Sequence, residues 1–237
     1  MRILVIIPAY NEEGSILSVI EELSNADVEV DYVVINDCST DTTLEILEAN
    51  SINRINLPCN LGIGGAIQTG YLYALNYDYD IAVQLDGDGQ HDPKYLHSII
   101  DPVAIGEADI CIGSRFIQKD GFQTSFMRRL GIRLLSFIIK LCAGVKVTDA
   151  TSGFRACNKA MIAHYAKHYA QDYPEPEAIV SAALYGYKYK EIPVVMRERT
   201  TGTSSISAFK SIYFMSKVSL AILIYRLMIT SNKPRRN

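Results

Sequence analysis

The chain has 237 residues, 49% hydrophobic and 21% charged, which excludes disordered, collagen-like and disulfide-scaffold classes and allows a sizeable core without staples. A net charge of -3 hides an uneven distribution: residues 1–114 carry 3 Lys/Arg against 19 Asp/Glu, residues 115–146 carry 7 against 1, and residues 197–237 carry 8 against 1. The acidic half points to a cation site and the basic blocks to an anionic partner such as a lipid face or a phosphate-bearing substrate, with nucleic acid set aside because no basic run is interleaved with aromatics.

In chain order, Ile3–Ile7 is a short apolar strand, and Ser15–Leu23 has Ile16, Val19, Ile20 and Leu23 on one helical face. A strand over Val30–Ile35, a helix over Thr42–Ala49, a weak strand over Arg54–Leu57 and a helix over Ile63–Leu75 follow. Asp80–Leu85 is a strand, Pro93–Ala104 a helix with proline in its first turn, and Asp109–Gly113 a strand. This alternation predicts an α/β layer with a mostly parallel sheet and helices on both faces. Right-handed crossovers then bring the C-terminal ends of the strands to one rim, where ligands bind.

After Ser114 the pattern changes. Gln118–Ser125 reads as a polar loop. Arg128–Ala143 reads as a helix with Arg129, Arg133, Ser136 and Lys140 on one stripe and Leu130, Leu134, Phe137, Ile138 and Leu141 around it. Phe209–Ile229 is a longer, very apolar helix with three spaced cations, followed by a basic tail. Both have the makeup of helices that lie on an anionic membrane surface. The uncharged run Val218–Tyr225 is too short to span a bilayer. No secretory leader is evident, and the odd, unpatterned set Cys38, Cys59, Cys111, Cys142 and Cys157 suits a reducing cytoplasm.

Three strands run into polar ends: Pro8-Ala9-Tyr10-Asn11-Glu12, Asn36-Asp37-Cys38-Ser39-Thr40-Asp41, and Asp86-Gly87-Asp88-Gly89-Gln90-His91-Asp92. In extended backbone Asp86 and Asp88 point the same way. With the Gln90 carbonyl they offer oxygen ligands to one hard cation, and Gly87 lets a ligand approach the backbone. Oxygen-only ligation favours Mg2+ or Mn2+. Asn60-Leu61-Gly62-Ile63-Gly64-Gly65 lacks the spacing of a dinucleotide loop and reads as the entry to the third helix. His164 and His168 have no third ligand nearby and read as surface histidines.

The three strand-end motifs, with Asp149-x-x-Ser152-Gly153-Phe154-Arg155 and Arg199-x-x-Gly202-x-Ser204, resemble family-2 glycosyltransferases of the GT-A fold, in their polyprenyl-phosphate and dolichol-phosphate mannosyltransferase-like branch. The resemblance spans roughly residues 2–206. It implies a Rossmann-like catalytic domain over 1–206; 207–237, by its apolar and basic makeup, is expected to be an amphipathic, membrane-associating helix and tail. It implies inverting, metal-dependent transfer of a hexosyl group from a UDP- or GDP-sugar to a polyprenyl phosphate, with the enzyme peripheral on the cytosolic membrane face.

By the same resemblance Pro8, Ala9, Tyr10 and Glu12 cradle the nucleoside and Asp37 accepts a hydrogen bond from the base. Asp86, Asp88 and Gln90 hold Mg2+ or Mn2+ on the donor diphosphate, with Gly87 between them and Arg199 and Ser204 closing over it. Arg115, Arg128 and Arg129 are the candidate contacts to the acceptor phosphate. Asp149, Glu175 or Glu177 would serve as base if the acceptor were a sugar hydroxyl of a cell-surface polysaccharide. A donor-binding subunit of a membrane complex is the non-enzymatic alternative. A separate integral-membrane partner and self-association stay open. The sequence departs from the family pattern at Asn36, where an acid is usual, and at Ser205, where a lysine is usual.

Overall fold

The computed structural model describes residues 1–118, 126–171, 174–198 and 208–231. The first half follows the predicted order: β1 (Ile3–Ala9), α1 (Ile16–Ser24), β2 (Asp31–Asn36), α2 (Thr43–Ala49), β3 (Arg54–Asn56), α3 (Gly62–Asn76), β4 (Ile81–Gln84), α4 (Leu96–Ala104) and β5 (Ile110–Ser114). Residues Pro93–Tyr95 form a separate 3-10 turn ahead of α4, capped by Asp92, which accepts from the Lys94 N–H. Then come α5 (Phe126–Ala143), β6 (Arg155–Asn158), α6 (Lys159–Lys167), α7 (Pro174–Leu184), β7 (Tyr189–Pro193) and α8 (Ala208–Ser231).

The seven strands form one sheet in the order β3-β2-β1-β4-β6-β5-β7. All pairings are parallel except those of β6, which runs antiparallel to both β4 and β5. Strand β1 shows why the central strands are continuous apolar runs. Leu4 and Ile6 enter one core with α3 and α5–α8, while Val5 and Ile7 enter the other with α1, α2 and α4. A strand covered on both faces has no polar side.

The reversal at β6 sets the geometry of the site. A parallel strand delivers only its C-terminal end to the rim. An antiparallel one delivers its N-terminal end there, so Ser152 and Gly153 arrive beside the end of β4, with Gln84 opposite Arg155. Neither β6 nor β7 was predicted. Arg155–Asn158 is too short and too mixed in polarity to give a strand signal, and Tyr189–Pro193 is half-buried throughout at the sheet edge.

Helix α8 packs on α5 and α7, with Val218 and Ile222 in the core. Helices α5 and α8 each have a second apolar face that no described element covers. On α5, Ile132, Leu135, Ile139 and Cys142 are buried, while Leu130, Leu134, Phe137 and Leu141 are exposed. On α8, Leu220, Leu223, Ile224, Leu227 and Met228 are exposed. Among the described residues no helix is long and apolar enough to cross a membrane.

Candidate active site

The polar ends of β1, β2 and β4 meet at one rim, and main-chain bonds lock them side by side. Asp37 N–H donates to the Ala9 carbonyl at 2.9 Å, Leu85 N–H to Ile6 at 3.0 Å, and Gly87 N–H to Pro8 at 3.3 Å. A Cβ at Gly87 would stand 2.9 Å from the Pro8 oxygen, so a side chain there would wedge the two segments apart.

The first two segments are interlocked by side chains. Asn11, in left-handed backbone at φ 57, accepts through Oδ1 from the Thr40 N–H at 2.8 Å. Glu12 N–H donates to Thr43 Oγ1 at 2.9 Å, and Glu13 N–H to Asp41 Oδ2 at 3.2 Å. Ser39 Oγ accepts from the Asn11 N–H. Ser39 and Asp41 therefore shape the loop, and Thr43, which the sequence reading passed over, is the buried pivot of this lock. Glu12, a predicted nucleoside contact, accepts from the Ser15 hydroxyl at 2.8 Å. Tyr10 stands at the rim, 47% exposed.

Asn36 replaces the usual acid and is buried. Its Oδ1 accepts from the Ser39 N–H at 3.2 Å and its amide donates to Asn56 at 3.3 Å. A neutral amide thus shapes this turn. Asp37 is buried beside it and accepts from the Leu61 N–H at 2.7 Å. Burial raises its pKa, against the lowering effect of the Leu61 and Gly62 N–H groups.

Asp86 and Asp88 sit in the turn after β4 and not in the extended backbone expected from sequence, because the strand ends at Gln84; their spacing of two therefore does not by itself set both on one face. Asp86 Oδ1 accepts from the Gln84 amide at 3.2 Å, and its N–H donates to His91 Nδ1 at 3.0 Å. Asp88, 4% exposed, accepts through Oδ1 from the Gln90 N–H at 3.0 Å. The Gln90 carbonyl accepts from the Arg197 N–H at 3.0 Å. Among the described residues no three His, Cys, Asp or Glu side chains group as a self-sufficient metal cage. The two carboxylates of this turn and the Gln90 carbonyl are oxygen ligands of the kind that Mg2+ or Mn2+ takes, whose usual sites use one or two carboxylates and finish the shell with substrate phosphates.

Arg115 and Asp149 lie elsewhere in the chain and meet in the interior. Arg115 Nε donates to Asp149 Oδ2 at 2.7 Å and Nη2 to Oδ1 at 2.8 Å, with a further bond to Thr151. Asp149 is fully buried and Arg115 is 7% exposed. Burial lowers the guanidinium pKa, but the carboxylate partner overcomes this and leaves a net rise. Glu191 of β7 supports the pair from behind, accepting from the Thr148 and Asp149 N–H groups at 2.8 and 2.9 Å. The arginine fork expected on the acceptor phosphate is thus bonded to Asp149, and the carboxylate considered as a base is held in that ion pair.

On α5, Arg129 is half-buried and its Nε has no hydrogen-bond partner. Arg199 and Ser204 lie outside the described residues, as does the side chain of Arg128. Arg197, just before them, pairs with Glu22 at 2.6 Å and Asp92 at 3.1 Å and so tethers its segment to α1 and to the turn after β4. His164 corrects the sequence reading: it is buried and shares a 2.6 Å hydrogen bond with Ser181, which meets Tyr225 of α8 at 2.9 Å. The two helices that cover it could not be placed from sequence. His168 is exposed, as expected.

The glycines before α3 have a packing purpose. A Cβ at Gly64 would lie 2.1 Å from the Ala170 carbonyl oxygen and 2.3 Å from that of Gln171. The segment that leads into α7 crosses α3 there at backbone contact. Glu175, in the first turn of α7, lies within electrostatic reach of Asp86 and Arg115. Burial raises the Glu175 pKa, against the lowering effect of Arg155.

The profile of Glycosyl transferase family 2 matches residues 4–166. Among curated proteins, a UDP-N-acetylglucosamine--dolichyl-phosphate N-acetylglucosaminyltransferase of Methanococcus voltae is 30% identical, over 89% of this chain and 93% of its own. An undecaprenyl-phosphate mannosyltransferase of Micrococcus luteus is 30% identical, over 87% of this chain and 88% of its own. Among solved structures, glucosyl-3-phosphoglycerate synthase from Mycobacterium tuberculosis, in complex with Mn2+, uridine-diphosphate and phosphoglyceric acid, superposes with a TM-score of 0.73 at 22% identity, over 95% of this chain and 78% of its own. That likeness extends to the fold, including the GT-A arrangement of the sheet. With its rim of strand ends and its antiparallel β6, the chain belongs to glycosyl transferase family 2.

Proposed function

We propose that the protein transfers a hexosyl group from a nucleotide-sugar to a polyprenyl phosphate, inverting the anomeric centre, while attached peripherally to the cytosolic face of a membrane. The observation that carries this reading is the convergence of Asp37, Asp86 and Asp88 on one interlocked rim, in a chain whose relatives are named for isoprenoid-phosphate acceptors.

Pro8, Ala9, Tyr10 and Glu12 line the nucleoside end, and Asp37 offers its carboxylate to the base. Asp86, Asp88 and Gln90 would hold a divalent cation, which when bound acts as a Lewis acid and offsets charge on the departing diphosphate. The acceptor phosphate is already ionised at neutral pH, so the protein must chiefly place it. Arg129, with its buried and unpartnered Nε, is the described residue suited to that contact, and Arg128, Arg199 and Ser204 are proposed from sequence alone. Arg115, proposed from sequence for the acceptor phosphate, is paired with Asp149 and supports the wall behind that contact.

A hydroxyl acceptor would need a base. Asp149 is held by Arg115, which leaves Glu175 and Glu177, and no contact favours that reading over the phosphate one. The exposed apolar stripes of α5 and α8, with Arg133, Lys140, Lys217 and Arg226 exposed beside them, suit an anionic bilayer surface that would present the acceptor.

The test measures consumption of UDP- and GDP-sugars with anionic vesicles that do or do not carry undecaprenyl phosphate, in Mn2+ or in EDTA. Turnover should require both the lipid phosphate and the ion. Asp88→Asn should lower it about 10^3-fold, since a catalytic ion contributes several kcal/mol. Full turnover of that variant in EDTA sinks the metal role. Transfer to a glycan hydroxyl without the lipid sinks the acceptor.

A further inference from the structure

We infer that His91, with Gln84 and Gly153, positions the Asp86 carboxylate for cation binding; this rests on the reading of Asp86 and Asp88 as the holders of a divalent ion. Gln84 is 1% exposed at the end of an apolar strand, and His91 is 4% exposed. A buried amide and a buried imidazole must find partners. Both find them at Asp86.

The Gln84 amide donates to Asp86 Oδ1 at 3.2 Å. His91 Nδ1 accepts from the Asp86 N–H at 3.0 Å. A ring that accepts at Nδ1 is neutral and carries its proton on Nε2. That nitrogen stands 3.6 Å from Asp86 Oδ2. The main chain of Asp86 is thus pinned by a side chain five residues on, and its carboxylate lies between an amide and an imidazole.

The third wall comes from the antiparallel strand. The His91 ring stacks on Phe154, with centroids 5.0 Å apart and planes 21° apart. Beside Phe154, a Cβ on Gly153 would stand 2.7 Å from the Gln84 amide nitrogen and 3.1 Å from an Asp86 carboxylate oxygen. Gly153 is not among the positive-φ glycines, so the position demands space and not backbone freedom. Arg155, fully buried and opposite Gln84 in the sheet, donates to the Ser152 carbonyl and holds this wall in place. The Asp86–Asp88 turn and the Ser152-Gly153-Phe154-Arg155 segment are therefore one unit. A carboxylate already held in one orientation loses less freedom when it binds an ion.

The experiment titrates Mn2+ by electron paramagnetic resonance with UDP and, separately, GDP at saturation. It compares wild type, His91→Asn, His91→Phe and Gly153→Ala. Asn places an amide oxygen where Nδ1 stands, while Phe keeps the stack on Phe154 and loses the acceptor. His91→Phe and Gly153→Ala should weaken Mn2+ binding about 10- to 100-fold, the usual effect of removing a group that orients a ligand. His91→Asn should stay within about threefold of wild type. Metal-free nucleotide binding and the circular dichroism of the two His91 variants should match wild type. Equal Mn2+ affinity in His91→Phe and wild type overturns the inference, as does a loss in His91→Asn as large as in His91→Phe. A wild-type protein that binds nucleotide without taking up Mn2+ overturns the metal reading itself, and this inference with it.

Discussion

The turn after β4 and the Asp149 cluster both carry aspartates at the same end of the sheet, and their surroundings make them opposites. The Asp86 carboxylate accepts from the Gln84 amide while its main-chain N–H donates to His91, so it is oriented and keeps oxygen capacity for an ion. Asp149 is met by a guanidinium at 2.7 and 2.8 Å and by no solvent at all. A carboxylate that accepts one neutral amide bond can still serve a cation, whereas one bonded in a fork to a buried arginine has its charge matched inside the protein. Residue type alone does not separate the two; the partner does.

The largest expected effect sharpens that contrast in stability. Asp149→Ala leaves a buried arginine without its anion and should cost about 3–5 kcal/mol. Asp88→Asn should change stability far less while removing activity. Chemical denaturation of both variants checks the pair, and equal destabilisation would erase the distinction.

A second contrast sets His91, bonded to the Asp86 main chain at the rim, against His164 in the core behind the sheet. Burial, then the nearby His168, lowers the His164 pKa from 6.5 to about 4. The folded state therefore prefers the neutral ring, and the unfolded chain binds the proton first. This contribution is complete above about pH 6.5 and is lost as pH falls towards about 4, amounting to at most about 3 kcal/mol. Unfolding free energy measured across that window should fall in the wild type. The fall should be shallower in His164→Gln, and an unchanged slope would refute the assignment.

The smallest effect compares the glycines themselves. Gly62 is in left-handed backbone at φ 76 with open space around it, whereas Gly64 is pressed against main-chain oxygens. Gly64→Ala must push residues 170–171 off α3 and should cost about 1–3 kcal/mol. It should also lower turnover, because that segment leads into α7 and Glu175. Thermal melts and initial rates together check this, and a variant with wild-type values in both would show that the crossing is not tight.

The first half was legible because its signals are local. Apolar β-branched runs such as Ile3–Ile7 and the face Ile16, Val19, Ile20, Leu23 repeat at the periods of strand and helix, and all four of those helix residues are buried. The Asp86 and Asp88 pair was legible because the polar residues follow an apolar strand at once. Gln84 was the overlooked clue: it is an amide in the apolar run Ile81-Ala82-Val83, and it proves to be buried against Asp86. Glu191 and Thr43 carried no such signal, since the site residues they hold, Asp149 and Glu12, lie 42 and 31 residues away.

Strand and helix periods, the carboxylate-bearing strand ends and the family motifs are all properties of short stretches, so they could be read along the chain. The partners of Arg115, His164 and Gly64 could not. Each is set by a segment that the antiparallel β6 and the helices beyond it bring back across the sheet, at sequence separations of 34 for Arg115–Asp149 and 17 for His164–Ser181. Whether a charge faces a ligand or is matched internally depends on burial and on the nearest opposite charge, and both of those arise only when distant elements pack.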